Sequence, residues 1–450
     1  MASRVCKFGG TSLADAKQIA KVRTIVADEP GRRYVVPSAP GKRHRDDQKI
    51  TDLLYLCHEH ARQGVPFNEV FALIAERFRT IAAELKVNVD LDAELQTIQQ
   101  TLATRARDGI GPDYAASRGE YLNGLIIARL LDWPFVDPTE LIFFDRRGRL
   151  DESRTYATIA RRLGELEHAV VPGFYGLGHD GEVKTFSRGG SDVTGAILAR
   201  GVNASLYENW TDVAGLLMAD PRVVDNPRTI DVITYRELRE LAYMGATVLH
   251  DEAIFPVRDA GIPVNIRNTN HPAAAGTMIV SEAQPVAHTR TITGIAGRRD
   301  FTVIALEKAL MNAELGFGRR VLSVLERFDV NFEHLPSGID TMSLVISDSE
   351  LDGKLDDVIE AIKRECEPDA VDVYPEMALV ATVGRGMAHT PGMAAKLFTA
   401  LAEANVNVRM IDQGSSELNI IVGVAVEAFE PAMRAIYEAF VESPKPVARS

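Results

Sequence analysis

Cysteine is scarce: Cys6, Cys57 and Cys366 are the whole complement in 450 residues. An odd count, wide spacing and no CxxC pair speak against a disulfide framework and a thiolate metal site, and fit reduced thiols in a cytoplasmic protein. No apolar run approaches the roughly 18 residues of a membrane-spanning helix. The N-terminus enters strand-like sequence at once, without the apolar region and small-residue cleavage site of a secretory signal. Positive charge is in deficit, with 50 Lys and Arg against 63 Asp and Glu and a net charge of −13. That balance opposes a nucleic-acid or membrane-surface partner, while a local cationic pocket for an anionic ligand stays possible. Clustered His/Cys metal ligands and a serine-hydrolase elbow are missing. His58-Glu-His60 is not HExxH and reads as a solvated helix face, and Arg43-His-Arg45 with Asp46-Asp47 reads as a mixed-charge loop.

What is present is an ordinary globular composition, 46% hydrophobic and 25% charged, which excludes wholesale disorder. The length predicts two to four domains. Over the first two thirds, strands and helices alternate. Strands are expected at Arg4–Phe8, Tyr34–Pro37, His168–Val171, Ala204–Tyr207 and Pro263–Ile266, and helices at Ser12–Ala27, Ser191–Arg200 and Tyr235–Met244. That rhythm predicts an α/β fold: a mostly parallel central sheet covered by helices on both faces. Phe67–Arg107 is long, helix-prone and charged, a helical excursion from the sheet.

A turn-rich seam follows Asn268–Pro272. Beyond it the order becomes strand, helix, strand, strand, helix, twice over. The first unit takes Phe301–Leu306, Arg319–Phe328, Val330–Leu335, Thr341–Ile346 and Leu351–Glu365. The second takes Ala378–Val383, Met393–Ala404, Val406–Ile411, Leu418–Val424 and Pro431–Phe440. Thr390 and Pro391 read as the cap and first turn of the helix that follows them, with Ala394, Leu397, Phe398 and Leu401 as its core face. Such α+β repeats suit either a ligand-binding pair or plain dimerisation modules.

Four segments could carry chemistry. Lys7-Phe-Gly-Gly-Thr-Ser12 leaves a strand and enters a helix; its glycine amides can approach phosphate oxygens beside the Lys7 charge, or the turn is merely tight and capped by Thr11 or Ser12. Ser187-Arg-Gly-Gly-Ser-Asp192 repeats the device with Arg188, Ser191 and Asp192. In open α/β sheets two such turns at strand carboxyl ends can face one crevice. Asn209-Trp-Thr-Asp-Val-Ala-Gly215 with Ala219-Asp-Pro-Arg222 offers polar groups to a nucleotide and a guanidinium to its phosphates, or forms an ordinary Asp-Pro turn. Ser117-Arg-Gly-Glu120 leads into a helix over Tyr121–Leu131, where Glu120 can bind an ammonium group or simply favour the helix N-terminus.

Together these segments resemble the aspartokinases, the ATP:L-aspartate 4-phosphotransferases of the amino-acid kinase family. The resemblance rests on Lys7–Ser12, Ser187–Asp192, Trp210-Thr-Asp-Val213 with Asp220-Pro-Arg-Val-Val224, and Gly245-Ala-Thr-Val-Leu-His250, in the family's order and spacing. It covers essentially the whole chain, and the repeated units are similar to paired ACT domains. It implies a three-layer amino-acid kinase domain over 1–280, then ACT-like βαββαβ units over 288–374 and 375–450. Because such units exchange strands, 291–296 can pair with the second, making the first an insertion.

The resemblance also implies roles. Lys7 and the Gly9–Gly10 backbone, with Ser12, would hold ATP phosphates, and Lys7 and Asp192 would form the catalytic pair, Asp192 orienting the lysine. Thr51, Glu120, Arg188, Gly189, Gly190 and Ser191 would bind aspartate, Arg188 gripping its α-carboxylate. Thr211, Asp212 and Arg222 would sit at the nucleotide, with Mg²⁺ carried mainly by its phosphates. Met311, Gly316, Phe317, Gly318 and Glu333 match an effector loop for lysine, threonine or both, placed at an interface of a homodimer or larger homo-oligomer. The family's pattern is broken where Thr247 stands for a common lysine, Asp251 for a proline and Leu217 for a tyrosine, and where the loop Pro40–Lys49 is longer and more charged. The competing expectations are a kinase for another amino acid, such as glutamate, and a catalytically silent amino-acid sensor that keeps the fold.

Overall fold

The computed structural model describes residues 3–107, 109–187, 189–246, 251–283 and 290–442. Arg188 and the Thr247–His250 stretch lie outside them. The chain forms two compact units. The first comprises Met1–Leu216, Thr229–Tyr235 and Val248–Val286; the second comprises Leu217–Arg228, Arg236–Thr247 and Ala287–Ser450.

In the first unit the strands are β1 (Arg4–Phe8), β2 (Arg32–Pro37), β3 (Ala169–Val170), β4 (Tyr175–Leu177), β5 (Val183–Thr185), β6 (Leu206–Thr211), β7 (Val232–Thr234), β8 (Val264–Asn268) and β9 (Thr277–Val280). Seven of them make one sheet in the order β3-β2-β1-β6-β8-β9-β7, and β4–β5 is a separate antiparallel hairpin. The run from β3 to β8 is parallel, and β9 is antiparallel to β8. The alternating strand–helix rhythm demands this arrangement, because parallel neighbours need helical crossovers.

Strand alternation gives the sheet two unlike faces. On one face Cys6, Phe8 and Trp210 join a core with the helices Ala16–Ala27, Ile50–Gln63, Asn68–Leu85, Leu91–Arg105 and Pro112–Leu131. The expected helical excursion is thus two helices. On the other face the helix Gly190–Gly201 lies so close that a Cβ on Gly195 would come within 2.6 Å of the Tyr207 ring.

The apolar face hides a charged knot. Glu208, fully buried on β6, accepts from Arg32 Nε at 2.7 Å and from Trp210 Nε1 at 2.9 Å, with Arg4 Nη1 at 3.2 Å. The guanidinium groups of Arg32 and Arg267 lie 5.1 and 4.6 Å from the Trp210 ring centre. Burial pushes the Glu208 carboxyl upward, but the Arg32 hydrogen bond and charge outweigh it, and the group is held below its ordinary value.

A second knot fastens the loop before Ile50. Asp47 binds Arg43 and Arg77 at 2.9 and 2.7 Å, and Arg77 also donates to the Gly41 carbonyl at 3.2 Å. The Arg43–Asp47 segment is therefore an anchored loop. His58 departs from expectation too: it is buried, with Nε2 3.0 Å from the Ile110 carbonyl, because it lies on the inner face of Ile50–Gln63.

The second unit is built on β10 (Gly294–Glu307), β11 (Thr341–Ser347), β12 (Ala370–Val383), β13 (Met410–Asp412) and β14 (Asn419–Ala425), in the order β11-β10-β12-β14-β13. All neighbours are antiparallel. The long strands β10 and β12 run through both repeats: Gly294–Arg298 pairs with Leu379–Val383, and Phe301–Glu307 with the other half of β12 and with β11. Two stretches from before the seam join this unit. Ile295 donates to the Met218 carbonyl at 2.7 Å, Arg434 to that of Val223 at 2.8 Å, and the Arg228 amide to Tyr437 at 2.9 Å. Glu237 accepts from Thr293 and from the Arg385 amide at 2.7 and 2.9 Å.

Three expectations fail here. Val330–Leu335 is not a strand; it makes only an isolated bridge of His334 with Val345, because the Val330 amide donates to the Leu325 carbonyl at 3.0 Å and the Asn331 amide to the Glu350 carboxylate at 3.0 Å. Thr390 does not cap a helix. The helix Met393–Glu403 starts after Gly392, whose φ is +88°, and Thr390 instead donates to the Gly386 carbonyl at 2.8 Å. On that helix Leu397 and Leu401 are buried, whereas Ala394 is exposed and Phe398 half-buried.

Replacing one partner of a buried ion pair leaves an uncompensated charge, which costs about 3–5 kcal/mol. Glu208→Gln is therefore expected to lower stability by about that amount, measured by urea unfolding followed through Trp210 fluorescence.

Candidate active site

The carboxyl ends of the parallel strands collect the polar groups. Lys7 is the last inward residue of β1 on the face opposite Glu208, and its strand partner on β6 is Asn209. Its Nζ lies 2.7 Å from Asp192 Oδ1 and 3.4 Å from Asn209 Oδ1, while Asn209 Nδ2 donates to the same Asp192 oxygen at 2.7 Å. Asp192 stands in the first turn of Gly190–Gly201, and the Tyr207 hydroxyl donates to its backbone carbonyl at 3.1 Å. The ammonium is thus fixed by two elements, with little freedom to follow a mobile ligand.

After β1 the chain turns through Gly9 into a short 3₁₀ turn, Gly10–Leu13. The Gly9 amide donates to the Trp210 carbonyl at 2.9 Å, so the amides open to an anion are those heading the turn, at Gly10 and Thr11. The backbone of Gly41 presses against this turn; a Cβ there would lie 2.6 Å from the Gly10 carbonyl carbon. Ser12 is buried and shares a hydrogen bond of 2.7 Å with Thr269, so its hydroxyl supports the turn. Thr211 ends β6, its hydroxyl 3.1 Å from Asp212, whose carbonyl accepts from Asn268 at 3.1 Å. Arg222 belongs to the second unit, where its exposed guanidinium grips Asp220 at 2.7 Å.

The other wall comes from Pro112–Leu131. This helix begins at Pro112, so Ser117–Glu120 lies in its middle, and an electrostatic role for Glu120 at a helix N-terminus is excluded. Glu120 is buried, and its Oε2 has no hydrogen-bond partner among the described residues. Burial drives its carboxyl up to about 8, against a weaker downward pull from hydrogen bonds to backbone amides that include that of Ala39. A neutral acid with a spare acceptor, held inside a site, is suited to meet a cation. One turn further, Asn123 donates to the Ser38 carbonyl at 2.7 Å, so both side chains grip the end of β2. Thr51 sits in the first turn of Ile50–Gln63, which packs along this helix.

Gly189, with φ +55°, precedes the helix that Gly190 and Ser191 begin. Ser191 is buried against Gly173, where a Cβ would lie 2.5 Å from its Oγ. Phe174 was invisible to sequence reasoning, yet it has φ +84° and covers Gly190, where a Cβ would meet its ring at 2.2 Å. A bulky residue in the left-handed region is strained, and such strain gathers at functional sites. Asn209 opens the third candidate segment, but its place beside Lys7 and Asp192 comes only from the β1–β6 register.

In the second unit Met311 and Phe317 are core side chains, Gly316 has φ +81° ahead of the helix Phe317–Arg327, and Gly318 follows in its first turn. Glu333 accepts from Arg298 at 3.2 Å.

Comparison with known proteins agrees with this geometry. The model of the amino acid kinase family matches residues 3–268, and that of an ACT domain matches 380–440. Aspartokinase 3 of Bacillus subtilis is 40% identical over 97% of this chain and 98% of its own. The crystal structure of Clostridium acetobutylicum aspartate kinase is 56% identical and covers 98% of this chain and 100% of its own, with a TM-score of 0.89. E. coli aspartokinase III, in complex with aspartate and ADP, is 26% identical over 97% of this chain and 99% of its own, with a TM-score of 0.70. The same enzyme with lysine and aspartate gives 26%, 98%, 99% and 0.71. The chain belongs to the amino acid kinase family and, within it, to the aspartokinases that carry a C-terminal ACT region.

Proposed function

We propose that this chain transfers the γ-phosphoryl group of ATP to the β-carboxylate of L-aspartate, giving 4-phospho-L-aspartate and ADP, the first step towards lysine, threonine and methionine. The observation that carries the reading is the Lys7–Asp192–Asn209 cluster set between two glycine turns at the strand carboxyl ends. A β-carboxylate oxygen bonds to the γ-phosphorus as the bond to the β,γ-bridging oxygen breaks, and ADP takes the electron pair. With a free pKa of about 3.9 the nucleophile is already ionised, so the step needs no base. The barrier is electrostatic, an anion approaching a polyanion, and the chain's contribution is fixed positive charge and positioning.

Lys7 supplies that charge beside the amides of Gly10 and Thr11. Asp192 and Asn209 aim the ammonium, Ser12 supports the turn, and Thr211 and Asp212 meet the nucleotide. Mg²⁺ would enter as the companion of the nucleotide phosphates. When bound it would neutralise phosphate charge. Glu120 meets the substrate ammonium, Thr51 lies beside it, and the turn at Arg188–Ser191 takes the α-carboxylate.

Feedback control by lysine, threonine or both fits the ACT region, with the segment around Met311, Gly316, Phe317, Gly318 and Glu333 as the effector loop at an interface of a homodimer or larger oligomer. E. coli aspartokinase III was crystallised with lysine, which supports an amino-acid effector. No described helix is long and apolar enough to cross a membrane.

The reading is tested by aspartate-dependent ADP formation with Mg²⁺-ATP, glutamate serving as the control; turnover without aspartate preference overturns it. Asp192→Asn is expected to lower kcat about 100-fold, since removing one fixed electrostatic contact typically costs that much. Glu120 is mostly protonated at pH 7 and ionises when an ammonium arrives. Aspartate binding there is expected to release a proton, seen as a buffer-dependent heat in calorimetry that Glu120→Gln abolishes. The aspartate KM should accordingly rise as pH falls below about 8. Glu333→Gln should raise the concentration of lysine or threonine needed for half-inhibition.

A further inference from the structure

Arg118 carries a buried charge with no carboxylate in pairing distance among the described residues, an arrangement folded proteins seldom keep without a compensating interaction. Its compensation is aromatic. The guanidinium carbon lies 4.7, 4.5 and 5.3 Å from the ring centres of Tyr114, Tyr121 and Tyr175. Two nitrogens also donate to Ser117 Oγ at 3.2 and 3.0 Å. The Tyr121 hydroxyl donates to Glu94 at 3.0 Å and that of Tyr175 approaches Asp137 at 3.4 Å, which enriches the rings facing the cation. Cation–π contacts of this kind gain strength when desolvated.

Tyr114, Ser117, Arg118 and Tyr121 share one helix, but Tyr175 belongs to β4 and adjoins the strained Phe174. The far strand of that hairpin is tied to the same helix, since Thr185 donates to Asp113 at 2.8 Å and Lys184 lies 3.5 Å from it. Phe174 in turn receives the Phe186 amide at 2.9 Å and covers Gly190. Successive helical positions are about 100° apart, so Arg118 and Glu120 leave the helix on different sides, with the Arg118 charge still near enough to pull the Glu120 carboxyl down.

We propose that Arg118 is a positioning residue that sets substrate length: by bracing β4–β5 through Tyr175 it holds Phe174 and the Gly189–Ser191 turn at one distance from Glu120, which admits the four-carbon amino acid and rejects its five-carbon homologue. The inference rests on Glu120 and that turn being the two ends of the amino-acid site.

The test is steady-state kinetics with aspartate and glutamate on the full chain and on Arg118→Met, Arg118→Lys, Tyr175→Phe and Glu120→Gln. One methylene is worth about 10–200-fold in discrimination. Arg118→Met should therefore lower the aspartate-to-glutamate ratio of kcat/KM at least about tenfold, with the ATP KM within about twofold. Arg118→Lys keeps the charge but loses the planar stack, and should fall between. If Arg118→Met does not fold, Arg118→Lys and Tyr175→Phe are read by the same ratio. A ratio unchanged in folded variants, or an equal loss for both amino acids, overturns the brace. An aspartate KM unaffected by Glu120→Gln overturns the site reading beneath it.

Discussion

The buried carboxylate of Glu208 is the constraint on which the first unit depends. It draws Arg4, Arg32 and Trp210 towards one point on the helix-covered face, and so ties β1, β2 and β6 in a single register. Side chains alternate along a strand, so a slip by one residue would turn every functional group to the wrong side. With Glu208 fixed beneath the sheet, its neighbours Tyr207 and Asn209 must stand above it, and Lys7 with them. The polar knot is an odd choice for a core.

Above the sheet the same economy holds. A cation intended for phosphates is held by an acid and an amide, neither of which leaves the strand-to-helix turns free to shift. In the same unit Glu120 is an acid whose carboxyl burial pushes upward. The two devices are opposite solutions to one problem, since charge inside a protein is costly unless its partner is already present. Lys7 carries its partner in Asp192, whereas Glu120 Oε2 has no hydrogen-bond partner among the described residues.

Much of this was legible in the sequence where a strand ran straight into a glycine turn. Arg4–Phe8 has the predicted bounds, and Lys7–Ser12 and Ser187–Asp192 announced themselves by residue type. What was illegible depended on partners distant in the chain. Val330–Leu335 has the alternation of a strand, but its first amides are taken by the Leu325 carbonyl and the Glu350 carboxylate. Ser117–Glu120 resembled a helix entrance because its serine and glycine are common there, while the real entrance is Pro112. His58 looked like solvated charge, and only the Ile110 carbonyl makes it a core residue. Phe174 left no trace, since positive φ in a bulky residue has no signature in composition.

The division of the chain between its units has a consequence for how the protein is made. The second unit takes Leu217–Arg228 and Arg236–Thr247 from amid the segments of the first, so the chain changes unit at five points. As synthesis proceeds, those two stretches emerge long before the residues they bind: Met218 waits for Ile295, Val223 for Arg434, and Arg228 for Tyr437. Contacts of such long sequence separation form late. Those stretches therefore stay unclaimed during synthesis until Ile295, Arg434 and Tyr437 have been made, so the second unit closes only after a long delay.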